Sequence, residues 1–142
     1  METITKAKIT VEASIHAPIE KVWSCWSEPQ HITQWCQASS DWHAPHAEND
    51  LRTGGKFKTT MAAKDGSMSF DFGGVYDNVQ HHKLIEYTLA DGRKVIIGFA
   101  SAGKETTVTE TFEAESENPI EMQRGGWQAI LDNFKKYTEE LS

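Results

Sequence analysis

The chain has 142 residues, with 14 Lys and Arg against 21 Asp and Glu and a formal net charge of −7. That length suits one ordinary domain with a sizeable core, residues 1–142, and is too short for two. A hydrophobic content of 38% excludes gross disorder. No apolar run approaches the roughly 20 residues of a membrane span, and no basic block offers a seat for nucleic acid or an anionic membrane surface.

The N-terminal stretch METITKAKITVEASI alternates instead of presenting a signal-peptide apolar block, so a cytoplasmic setting is expected. Cys25 and Cys36 stand in no metal or redox spacing and read as two packed thiols rather than a disulfide. Within residues 7–15, Ala7, Ile9, Val11, Ala13 and Ile15 share one face and Lys8, Thr10, Glu12 and Ser14 the other, the pattern of a half-buried strand. Pro18 suits the first turn of a helix, and Ile19, Val22, Trp23 and Trp26 follow at helical spacing. Ser27 with Gln30 matches a capping box and opens a second short helix carrying Ile32 and Trp35 on one side.

Residues 36–55 read as irregular, with a short strand around Trp42 and a turn or bulge at Gly54-Gly55. Strand-like runs follow at 56–62, 67–79, 84–89 with 94–100, and 106–114. Lys64-Asp65-Gly66, Asp91-Gly92 and Ala102-Gly103 supply the turns between them, so the runs form an antiparallel meander. The last helix begins at Asn118-Pro119, with Asn118 as N-cap, Pro119 at the first helical position and Glu121 reaching back to the cap. Ile120, Gln123, Trp127, Ile130, Leu131, Phe134, Tyr137 and Leu141 share its apolar face, with Asp132, Lys135, Lys136 and Glu139 opposite. A single long helix buries that face only by lying across the sheet. A twisted, curled sheet gripping one helix leaves space where the helix carries small residues.

PIEKVW, EPQHITQW, DLRTGGKF, the Phe-Asp-Phe-Gly-Gly-Val-Tyr run, DGRKV and GGWQAILDNFKKY resemble, in the correct order and over nearly the whole chain, the START-like (SRPBCC) superfamily. Within it they resemble the bacterial branch related to the activator of heat-shock protein 90 ATPase homologue. The resemblance implies an α+β helix-grip fold: a curled antiparallel sheet of about six or seven strands around a long C-terminal helix, with two short helices after the first strand. It also implies a cavity between sheet and helix. Superfamily members include lipid carriers, plant hormone receptors, a pollen allergen and polyketide aromatases or cyclases, and they usually hold apolar or aromatic small molecules. The eukaryotic co-chaperone has an additional N-terminal domain for which this chain has no room, which argues against chaperone activation.

Gly125 and Gly126 interrupt the last helix directly before Trp127, each costing about 1 kcal/mol relative to alanine in a helix interior. Either they permit close helix–sheet packing, or Gly126 thins a cavity wall beside a flat apolar surface; Gly125 points nearly away. Gln123 lies on the inward face and is expected to find partners within the protein. Glu110 shares a face with Val108 and Phe112 if its strand is regular, which would aim it into the cavity and raise its pKa; a bulge turning it to solvent is the expected outcome. The concave face is expected to carry Phe57, Thr59, Met61, Met68, Phe70, Phe72, Ile85, Tyr87, Val95, Ile97 and Phe99.

From these the ligand-binding set is Trp35, Phe57, Met61, Met68, Phe70, Phe72, Tyr87, Ile97, Phe99, Gln123, Gly126, Trp127 and Ile130. Glu110 and Tyr87 are the candidates for acid–base catalysis, and Tyr76, Tyr87 and Arg93 could polarise a carbonyl. His43 and His46 are three apart, but Pro45 breaks any helix aligning them and no shell completes around them. No metal or cofactor is expected, and His81-His82 reads as a solvated turn. The function expected is binding of a small hydrophobic or aromatic ligand, as carrier, sensor or sequestering protein. The alternatives are a cyclase-type enzyme using the same cavity and a chaperone-interacting module. Ligand identity and oligomeric state are not legible in the sequence.

Overall fold

The computed structural model describes residues 7–37 and 39–141, so residues 1–6 of the alternating N-terminal stretch lie outside it. The element order is β1 (Lys8–Ile15), α1 (Ile19–Ser27), α2 (Pro29–Trp35), β2 (Trp42–Asn49), β3 (Lys56–Ala63), β4 (Ser69–Gln80), β5 (Leu84–Leu89), β6 (Lys94–Ala102), β7 (Glu105–Glu113) and α3 (Ile120–Glu140). The seven strands form one antiparallel sheet in the order β1-β7-β6-β5-β4-β3-β2. Sequence neighbours pair from β2 through β7 because their connections are short. The excursion through α1 and α2 then leaves β1 free to pair with the last strand, from Lys8 opposite Glu113 to Ile15 opposite Thr106. This is the curled helix-grip arrangement, with α3 lying across the concave face.

The alternation read in β1 holds at every residue from Lys8 to Ile15, with Ile9, Val11, Ala13 and Ile15 buried. The region after α2 is more regular than expected. β2 is an eight-residue edge strand, and its register slips between His43 and His46, where Pro45 sits. A proline lacking a ladder donor is tolerated at an edge and at a bulge. Gly73 and Gly74 mark a close backbone approach on both sides of β4: a Cβ at Gly73 would stand 2.5 Å from the Phe57 carbonyl oxygen, and one at Gly74 2.3 Å from that of Thr88. Those distances exclude any side chain.

Two caps differ from expectation. Ser27 does not cap α2; its Oγ donates back to the Trp23 carbonyl, and α2 starts behind Glu28 with Pro29 in its first turn. Asn118 does not cap α3, because its carbonyl oxygen accepts from Gln123 Nε2 and its N–H and side chain are held by Glu115. Pro119 takes the cap position, and Glu121 pairs forward with Arg124 instead of reaching back. In both places a competing side-chain bond one turn away wins.

Half of the concave face is filled solid. Phe134 is fully buried from α3 and meets Trp26 at 4.8 Å and Trp35 at 4.9 Å between ring centroids. Trp23 and Trp26 in turn pack edge-on against Phe99. Trp35 Nε1 donates to the Cys25 carbonyl at 2.9 Å, tying α2 to α1. His81 is exposed, as a solvated turn expects, while it and His82 stack on each other at 3.8 Å and lie edge-on to Trp23. The α3 face read as polar is partly in use: Lys135 reaches the Ser14 carbonyl at 2.7 Å, and Glu139 accepts from the His16 N–H at 2.8 Å, pinning α3 along the β1 edge.

Candidate functional site

Beyond Phe134 toward its N-terminus, α3 no longer fills the concavity. A cavity of about 480 Å³ opens there between the sheet, the end of α2 and α3. Its walls follow from the elements. β3 and β4 present Phe57, Thr59, Met61, Phe70, Phe72 and Tyr76. β5, β6 and β7 present Tyr87, Ile97 and Glu110, α2 ends on Ile32, Trp35 and Cys36, and α3 contributes Met122, Gln123, Gly126, Trp127 and Ile130. The rings interlock: Phe57 lies 4.7 Å from Tyr87 edge-on, and Trp127 stacks on Phe112 at 3.9 Å while meeting Phe72 edge-on at 5.9 Å.

Gly126 forms part of this wall, and a Cβ built on it meets nothing within 4 Å. A glycine kept for tight packing would show a contact there. The space beside it is open, and the helix runs unbroken through both glycines. Gly125 is exposed and equally uncrowded.

Gln123 is buried and fully engaged. Its Oε1 accepts from the Glu115 N–H at 2.9 Å, and its Nε2 donates to the carbonyls of Glu115 at 3.1 Å and Asn118 at 2.7 Å. It therefore fastens the segment between β7 and α3 while forming part of the cavity wall.

Glu110 corrects the sequence reading. β7 is regular through it, opposite Val11 on one side and Ile97 on the other, so no bulge turns it out. Its side chain lines the cavity, the residue is 5% exposed, and no group among the described residues hydrogen-bonds to its carboxyl. Burial alone pushes its pKa up to about 8. Its neighbours cannot exchange protons near neutrality: burial, with Glu110 adding to it, pushes the Cys36 thiol up to about 12 and the Tyr87 hydroxyl well above its ordinary value. Tyr76 is raised as well, chiefly by burial, and its hydroxyl donates to Asn49 Oδ1 while Asn49 Nδ2 donates to the Ser27 carbonyl at 2.6 Å.

Two expected wall residues lie elsewhere. Met68 falls in the β3–β4 turn and is 60% exposed, because β4 begins only at Ser69. Phe99 points to the filled half of the core against Trp23 and Trp26. The other eleven members of the expected set all face the cavity. Trp26, Cys36, Trp42, Asn49 and Arg93 line it too and stood outside that set. The alternation of β2 would have indicated Trp42; nothing local to Asn49 signals its place. Cys25 and Cys36 are both free and buried. His43 and His46 are exposed, and no group of three or more potential metal ligands clusters among the described residues. No helix among them is long and apolar enough to cross a membrane.

No curated protein matches the chain. Solved structures do. An AHSA1-like protein from Aeromonas hydrophila, determined by solution NMR, is 47% identical with a TM-score of 0.88, over 94% of this chain and 92% of that one. The solution structure of Chr148 from Cytophaga hutchinsonii is 63% identical with a TM-score of 0.81, over 93% and 92%. CV1439 from Chromobacterium violaceum, at 22% identity and a TM-score of 0.84 over 95% and 99%, shares the fold. Residues 16–139 match the family described as activator of Hsp90 ATPase homolog 1-like protein, and with the helix-grip architecture above, the chain belongs to that AHSA1-like family of the START-like superfamily.

Proposed function

We propose that the chain binds a flat, largely apolar small molecule between the sheet and the first half of α3. The observation that carries this reading is the cavity of about 480 Å³, which falls within the roughly 300–1,000 Å³ of small-molecule sites and has aromatic walls with a few polar groups. The open space at Gly126 supports it, as does the common use of this fold for hydrophobic ligands. The exposed Phe70 and Met122 belong to the cavity lining, which supports ligand entry as the reason for their exposure. Flat hydrophobic compounds should raise the melting temperature and quench tryptophan fluorescence, since Trp26, Trp35 and Trp127 stand in the wall. Nucleotides, phosphosugars and divalent metals should do neither. Stabilisation by those and by no apolar compound would sink the reading.

Glu110 favours a second reading. It is the one cavity group among the described residues whose shifted pKa lies near neutrality, as a general acid or base requires. A cyclase-type reaction would then proceed on a bound reactive chain. Mass spectrometry of bound compounds before and after incubation, with Glu110→Gln as control, tests it; compounds recovered unchanged by wild type exclude turnover of those compounds.

A further inference from the structure

The cavity contains a carboxyl group that the protein itself leaves without a partner. Three carboxylic residues line the space, and two are spoken for. Glu48, near the mouth, pairs with His46 at 3.0 Å and Lys58 at 3.6 Å. Glu115 accepts from the N–H and the side chain of Asn118 at 2.6 and 3.0 Å. Glu110 alone has neither a hydrogen bond nor an ion pair among the described residues, although it is 5% exposed. The single guanidinium in the lining, Arg93, is already engaged by Asp91 at 2.8 Å and by the Glu113 carbonyl at 3.3 Å.

The groups that face Glu110 come from every side. Tyr87 on β5 and Cys36 at the end of α2 interact with it, Tyr76 on β4 and Arg93 in the β5–β6 turn share the lining, and α3 turns no charged side chain into the cavity. Aromatic rings, whose negative faces attract cations, make up much of the remaining wall, with aliphatic side chains such as Ile32, Met61, Ile97 and Ile130 between them. An anionic ligand would enter beside three carboxyl groups and find no free cation. A purely apolar ligand would cover Glu110 and leave it unpaired, which buried polar groups rarely tolerate.

We infer that the ligand carries a basic nitrogen, its flat apolar body lying against the aromatic walls and its ammonium group meeting the Glu110 carboxylate. This rests on the binding reading above and specifies its chemistry. The net charge of −7 draws such a ligand toward the protein. Burial holds the proton on an empty-cavity Glu110 up to about pH 8, so the ammonium displaces that proton and binding releases it.

Three probes sharing one naphthalene body test this on the full chain: 2-(1-naphthyl)ethylamine, 1-ethylnaphthalene and 1-naphthylacetate. Affinities are measured by tryptophan quenching and calorimetry at pH 6, 7 and 8. The amine should bind at least about tenfold tighter than the neutral probe at pH 8, and its affinity should rise by up to about tenfold per pH unit over this range as one proton leaves per amine bound. Calorimetry in buffers of differing ionisation enthalpy reads that proton directly on wild type. Glu110→Gln should bring the amine down to the level of the neutral probe and remove the pH dependence of its binding. Equal binding of amine and neutral probe, or tightest binding of the anion, overturns the inference while the apolar-binding reading stands. No binding by any of the three overturns both.

Discussion

Replacing Glu110 with glutamine keeps its shape and removes its titration, so the pair of proteins isolates one buried carboxyl. In the unfolded chain this carboxyl titrates near its ordinary 4.5, and in the fold burial pushes it up to about 8. Between those values the folded state holds a proton that the unfolded state has lost. Stability from this group is therefore fully present below 4.5 and is lost as pH rises through 8. The slope is about 1.4 kcal/mol per pH unit. Across the window from 4.5 to about 8 the loss is on the order of 5 kcal/mol, an upper figure because the cavity mouth admits solvent. Urea denaturation of wild type and Glu110→Gln from pH 5 to pH 9 measures it, and other titrating groups cancel in the difference. The two should be nearly equal at pH 5, with the variant more stable by several kcal/mol at pH 9. Parallel curves would mean that Glu110 titrates normally and does not face a dry cavity. A wild type that gains on the variant as pH rises would mean that the carboxylate has a strong partner in the fold.

Other perturbations have equally definite outcomes. Gly126→Ala should stabilise the fold by roughly 0.5–1 kcal/mol in denaturant titrations, since its Cβ meets open space, and Gly126→Leu should fold but weaken binding of a flat apolar probe; destabilisation of Gly126→Ala by more than about 2 kcal/mol would mean that the glycine is a packing device. Gly125→Ala should show the same helix gain without the binding loss. Gln123→Ala strips partners from Glu115 and Asn118 and should cost about 1–3 kcal/mol in thermal or urea unfolding. The buried thiols of Cys25 and Cys36, both raised chiefly by burial, should resist iodoacetamide at pH 8 in the native state and react on unfolding; rapid native labelling would contradict their burial.

Much of the fold was legible because it repeats. The strict alternation of β1, the turns at Asp91-Gly92 and Gly103, and the apolar face running through Leu131 and Phe134 are local periodicities, and each became the element it signalled. Errors came where side chains chose between local partners. Ser27 bonded back to Trp23 instead of capping α2, and Glu115 and Gln123 engaged Asn118 before it could cap α3. Met68 was misplaced by two residues of strand boundary, the least certain feature of any sequence pattern.

By itself, then, the sequence determined the order of elements, the antiparallel meander and the aromatic content of the concave face, and it singled out Gly126 without deciding between packing and an open wall. The tertiary structure decided which half of that face is filled. Phe134, Trp26 and Trp35 meet from three helices and close one end, a packing that no single helix reveals. It also decided the fate of Glu110. Whether an acid in a strand faces water or a cavity depends on register against two neighbouring strands, and a shift of one residue reverses it. Pairing with Val11 and Ile97 turned Glu110 inward, where burial raises its pKa.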